Sequence, residues 1–217
     1  VKERGMIFNA DMVNAILSGR KTMTRRIMKP QPEVCPRGGH WWPSNVFKTM
    51  LHIEDEMQNG KGGWDGLTGD ACPFGDVGDR IWVRETFRVH SKATDLATLV
   101  YRASERNSWT EQTHRVPASV CNKPVSPEKW TPAIHMPRWA SRITLEITGV
   151  RVERLQDISE EDARAEGVIP ACGGVEPYWE HRFNFRELWF DIYGEESWRA
   201  NPFVWVMEFK RIEGGAE

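Results

Sequence analysis

Residues 11–28 read DMVNAILSGRKTMTRRIM and carry a helix, its stop and a strand in immediate succession. Asp11 can cap a helix whose apolar stripe is Val13, Ile16 and Leu17, and Gly19 suits a left-handed stop. From Lys21 to Met28 the threonines and Ile27 favour extended chain. On that strand Thr22, Thr24 and Arg26 share one face, and Met23, Arg25 and Ile27 share the other. Lys21 is out of phase with Thr24 unless the turn after Gly19 re-aims it. Four cations, Arg20, Lys21, Arg25 and Arg26, crowd into GRKTMTRR in a chain of net charge -2. Like charges this close repel unless an anion sits among them. The segment is therefore read three ways: a solvated strand with Arg20 and Lys21 complementing a helix dipole, a nucleic-acid contact, or the wall of a reactive site.

Outward from this segment the same pattern continues. DRIWVRETF (79–87) predicts a strand with Ile81, Val83, Glu85 and Phe87 on one face, so Glu85 points inward and needs an arginine partner or a function. Leu99–Arg102 predicts a short strand. RITLEITGVRVER (142–154) alternates Ile143, Leu145 and Ile147, then changes phase at Gly149 to Val150 and Val152, the mark of a bulge or bend. Ser159 opens a helix with an acidic first turn that ends at Glu166 and Gly167. Phe185, Leu188, Trp189 and Ile192 have the spacing of a buried helix face. A final strand covers 203–211, with Phe203, Trp205, Met207 and Phe209 on one side. Two segments, about 30–78 and 104–129, lack a sustained period and read as long irregular insertions. Strands alternating with a few short helices predict an α+β chain, a small mixed barrel with inserted loops, as one domain over 1–217.

Composition narrows the class. The chain has 217 residues, 40% of them hydrophobic, with no apolar run of membrane-spanning length. Its first residues, VKERGMIFNADM, lack a signal-peptide core, so the cytoplasm is the expected compartment. The near-neutral charge argues against a protein coated in nucleic acid but permits one basic face. Cys35, Cys72, Cys121 and Cys172 are widely spaced and read as free thiols. Cys35, His40 and Cys72 offer three zinc-type ligands without a fourth or a familiar spacing, so the reading includes neither metal nor cofactor. Of the eleven tryptophans, Trp189, Trp198 and Trp205 lie in apolar patterns, whereas Trp41, Trp42, Trp64 and Trp139 lie among Gly, Pro or Arg as candidate exposed platforms.

Three residues have the makings of a hydrolytic site. A threonine hydroxyl becomes a nucleophile when a base takes its proton, and lysine serves as that base when cationic neighbours or burial lower its pKa. Lys21 and Thr24 are those parts. Glu166 stands at a helix end that disfavours an anion by about 0.3–1 kcal/mol, a placement suited to a proton donor. Binding an RNA, a single strand or a modified nucleoside would use Arg20, Arg26, Arg84 and Glu85, with Arg138 and Trp139 of HMPRWASR adding a guanidinium and a stacking ring. The same Trp139 can equally be core.

The combination of AILSGRKTMTRRIMKPQP, GDRIWVRETF, IHMPRWASRITLEITGVRVERLQDISEEDARAEGV and NPFVWVMEFK resembles ASCH-domain proteins of tailed phages and prophages over nearly the whole chain. The resemblance implies a PUA-like barrel and an RNA-related function. Small bacterial members of that family deacetylate N4-acetylcytidine, and the likeness of GRKTMT and ISEEDARAEGV to their motifs implies Lys21 as base, Thr24 as nucleophile and Glu166 as acid. The chain is about twice as long as those enzymes, and phage relatives often carry a morphogenetic label that no residue here supports.

Overall fold

The structure, a computed structural model, describes residues 1–58, 66–170 and 180–212. Trp64 and Cys172 lie outside the described residues. In chain order the elements are β1 (Glu3–Ile7), α1 (Ala10–Leu17), β2 (Met23–Ile27), β3 (Glu33–Val34), β4 (His40–Ser44) and β5 (Thr49–His52). Next come α2 (Leu67–Ala71), β6 (Arg80–Arg84), β7 (Phe87–Lys92), β8 (Leu96–Tyr101), α3 (Trp109–Gln112) and β9 (Thr113–Pro117). The chain continues through β10 (Thr144–Arg154), α4 (Glu160–Ala165), α5 (Glu180–Tyr193), α6 (Glu195–Arg199) and β11 (Phe203–Ile212). The fold is mixed α+β, with eleven strands in three sheets. None of the sheets closes into a barrel among the described residues. Among those residues no helix is long and apolar enough to cross a membrane.

Two compact units divide the chain. The first comprises Arg20–Asp79 and Ile147–Lys210; the second comprises Lys2–Gly19 and Arg80–Glu146, with Arg211 and Ile212. In the first unit β10, β11 and β2 lie side by side in that order. β2 pairs antiparallel with β11, Thr24 opposite Met207. Met23, Ile158, Ala163, Phe185, Trp189, Val204 and Val206 build the core between sheet and helices. β11 is buried on both faces from Phe203 to Met207, because neighbours cover each side. Ile192, expected on the buried face of α5, is 42% exposed, while Phe185 and Trp189 of that face are buried.

Segment 30–78, expected to be irregular, contains α2 and a three-stranded sheet ordered β3-β4-β5. Cross-strand pairs such as Trp42 with Leu51 explain how such short strands persist. Trp42 is core, not an exposed platform: its ring meets Trp205 edge-on at 5.4 Å and its Nε1 donates to Pro30 O at 3.1 Å. Cys35 and Cys72 are buried thiols, and His40 holds Glu54 and Arg154 on its two ring nitrogens.

The second unit pairs β1 parallel with β6, and β6 antiparallel with the start of β10. A second sheet, β7-β8-β9, closes over Phe87, Val89, Leu99, Tyr101 and Met136. The strand expected over 79–87 breaks at Glu85 and Thr86, and segment 104–129 contains α3 and β9. Asn9 caps α1, its Oδ1 accepting from Met12 N at 2.8 Å, so Asp11 lies in the first turn instead of at the cap. Gly19, with φ +74°, stops the helix as its position implied. The phase change at Gly149 is present: burial passes from Leu145 and Ile147 to Val150 and Val152.

Candidate active site

A charge cluster with Lys21, Arg25 and Glu166 buried at its centre lies between β2, β10 and α4 in the first unit. Ser159 caps α4, its Oγ accepting from Asp162 N at 3.0 Å, and the helix ends at Glu166. The chain leaves Gly167 with φ +85°. Thr22 N donates to Ala165 O at 2.8 Å, so Lys21 and Glu166 face each other across an antiparallel bridge. This backbone pairing, more than side-chain attraction, brings residues so distant in sequence together.

Lys21 Nζ donates to Glu166 Oε2 at 2.6 Å and to Glu166 O at 2.9 Å. Arg20 donates to Gly167 O at 3.0 Å. These two cations therefore satisfy carbonyls at the end of α4. Arg25 is the hub. It donates to Glu166 Oε1 at 3.2 Å, to Asp162 Oδ2 at 2.8 Å and to Glu153 Oε1 through both Nε at 3.0 Å and Nη2 at 2.5 Å. Its guanidinium also stands 5.8 Å from the Phe185 ring centroid. Arg151 extends the network to Glu153, Asp162 and Glu208.

Burial pushes the Lys21 pKa below its ordinary value. The Glu166 carboxylate pulls it upward, and the charges of Arg26 and Arg25 push it down again. A lysine in this setting gives up its proton more readily than a solvated one. The carboxylate at the helix end, disfavoured by the dipole alone, is offset by the two cations that reach it. Thr24 is buried beside the cluster but out of phase with it. Lys21 Nζ is directed to Glu166 and not to the Thr24 hydroxyl. Strand parity explains this arrangement, since Lys21 bridges in register with Met23 and Arg25.

The sequence reading took Arg25 only as a cationic neighbour of Lys21 and not as the hub of an ion network, although the signal was present. An arginine alternating with Met23 and Ile27 on an apolar face must be paired, the same inference that parity supported for Glu85. Arg26 is half-buried on the opposite face and Thr22 is exposed.

The remaining candidate residues belong to the second unit. Glu85 accepts two hydrogen bonds from Arg142, at 2.9 and 3.0 Å. Burial raises its pKa despite that partner. Arg142 also donates to Ser104 Oγ at 2.8 Å and lies 4.0 Å from the Tyr101 ring centroid, so Glu85 is satisfied within the fold. Arg84 donates to Ile134 O and stands over Trp82, and Arg138 holds Glu3 at 2.9 Å. Trp139 packs edge-on against Phe87 at 6.3 Å, as a partner of the core and not a free platform.

Comparison with family models, curated proteins and solved structures finds no match. The chemistry of the Lys21 cluster therefore rests on its own geometry. Among the described residues no group of three or more His, Cys, Asp or Glu side chains is placed to hold a metal. What the cluster offers is proton transfer between a lysine of lowered pKa and a carboxylate 2.6 Å away.

Proposed function

We propose that this chain is an ASCH-type protein with the PUA-like barrel of that family, which recognises RNA or a modified nucleoside and removes an N-acyl group from a pyrimidine base such as N4-acetylcytidine. The observation that carries this reading is the buried contact between Lys21 and Glu166. In the proposed reaction Lys21 takes the proton of the Thr24 hydroxyl and passes it to the Glu166 carboxylate, the Thr24 oxygen attacks the acyl carbonyl, and Glu166 delivers that proton to the departing base nitrogen. Water then hydrolyses the acyl-threonine. Lys21 must exchange its Glu166 contact for Thr24 when substrate enters. Arg20 and Arg26 supply the basic surface for a phosphate. The reading places the protein in the cytoplasm, that of the host if it is phage-encoded.

The phase difference between Lys21 and Thr24 favours a second reading, a non-catalytic nucleic-acid-binding or phage assembly protein. In it, Lys21 and Arg25 only fasten α4 to β2. Incubation with N4-acetylcytidine, followed by chromatography of the released cytidine, separates the two. Turnover by the wild-type chain that is abolished in a folded Thr24→Ala variant and partly kept in Thr24→Ser is the expected result. Because Lys21 acts unprotonated, the rate should rise with pH and level off below the range of an ordinary lysine. A folded protein that turns over none of a panel of acylated nucleosides overturns the catalytic reading and leaves the binding one.

A further inference from the structure

A cavity of about 330 Å³ opens in the first unit between the inserted sheet and the ends of β10 and β11. Its floor is apolar, formed by the buried side chains of Ile53, Val152 and Phe203. Its walls are charged: Glu54, Glu153 and Asp157 against Arg154, with His40 between. The roles of most of these groups follow from their hydrogen bonds. Arg154 Nη2 lies 2.9 Å from His40 Nε2, and a guanidinium can only donate, so that nitrogen accepts. The other ring nitrogen, Nδ1, therefore donates to Glu54 Oε1 at 2.6 Å. Although burial opposes it, these hydrogen bonds from the His40 ring and backbone hold the Glu54 carboxyl below its ordinary pKa, so it is charged at neutral pH.

Glu153 turns both oxygens to Arg25 and Arg151, and the remaining Glu54 and Asp157 outnumber Arg154, so the walls keep excess negative charge. The network behind Glu153 does not cancel it. Lys21, Arg25 and Arg151 there face Glu153, Asp162, Glu166 and Glu208. Arg154 is held within the fold: it stacks over Phe203 at 3.8 Å and donates to Asn201 O. Asp157, in the short turn after β10, is exposed and has no hydrogen-bond or ion-pair partner among the described residues.

We propose that this cavity binds a small organic amine, its ammonium group against Asp157 and Glu54 and its hydrocarbon stem on the floor of Ile53, Val152 and Phe203. A bare metal ion would leave the apolar floor unused, and an anion would meet the excess of carboxylates. The site is built by the inserted sheet and includes none of Lys21, Thr24 and Glu166.

Titration calorimetry of the intact chain with putrescine and spermidine tests the proposal, with 1,4-butanediol as an uncharged stem of the same length and AMP as an anion. Saturable binding of the amines, and of neither control, is expected. Asp157→Asn should weaken it about three- to fivefold, the worth of one partly exposed charge pair, and Asp157→Lys should abolish it while circular dichroism stays unchanged. Absence of amine binding, equal binding of butanediol, or amine binding unchanged in Asp157→Lys would each overturn the proposal. Acyl-nucleoside turnover, measured in parallel, reports on the other site alone.

Discussion

At the scale of single residues, the four cations of GRKTMTRR divide into two kinds. Lys21 and Arg25 have side chains wholly removed from solvent and bonded to carboxylates, whereas Arg20 is exposed and Arg26 half-buried. Of the four, Arg20 and Arg26 are the two that reach solvent. Each phosphate neutralised on a single strand contributes about -0.7 to the slope of log affinity against log salt. Binding of a single-stranded RNA at this segment should therefore show a slope of about -1.4, where four free cations would give about -3. Fluorescence anisotropy between about 50 and 200 mM salt measures it, and a slope near -3 would mean that Lys21 and Arg25 leave their partners on binding. The charge puzzle was legible in the sequence. Its solution was half legible, since strand parity put Arg25 on an apolar face but could not say which carboxylates answer it.

At the scale of elements, α4 matters because its last residue is Glu166. The helix is six residues long, too short to hold itself together without its cap and its tertiary contacts. Ser159 supplies the cap, and replacing it with alanine should cost about 1 kcal/mol and lower Tm by roughly 2–4 °C in a chain of this size. Calorimetric scanning of Ser159→Ala measures this; an unchanged Tm would show that the Lys21 and Arg25 contacts alone hold the helix. Elements with strong local signals were readable: the α1 stop at Gly19, the α4 cap at Ser159, the phase shift at Gly149. The strands of segment 30–78 and β9 were not, because strands of two to five residues, such as EV, TMLH and THRVP, are too short to show a period of their own. Pairing with neighbours makes them strands, and that pairing is a non-local event.

At the scale of the whole molecule, one buried side chain adds a decline in stability at alkaline pH. Tyr101 is buried in the second unit, and its hydroxyl donates to Ala140 O at 2.7 Å. Burial raises its pKa well above the usual 10.0, the Glu85 charge adds to the rise, and Arg142 opposes it. Between about pH 10 and that raised value the native state keeps a proton that the unfolded chain releases, so stability falls as pH rises through this window. Tyr101→Phe should lower stability by about 1 kcal/mol at neutral pH through the lost hydrogen bond, yet flatten the alkaline decline. Urea midpoints measured from about pH 8 to pH 11 read both effects, and an equally steep decline in the variant would place the titration elsewhere.

The sequence by itself determined the mixed α+β class, the stop of α1 at Gly19, the cap of α4 at Ser159, the inward placement of Glu85 and the phase of the β2 strand, because each depends on residues close together in the chain. Only the tertiary structure decided that Lys21 meets Glu166, that Arg25 is the hub of the cluster, that Trp42 and Trp139 pack into the interior, and that the inserted sheet encloses a cavity. These outcomes bring together side chains far apart in sequence. Burial then sets their charge and proton affinity, and neither period nor composition encodes which partner a buried group will find.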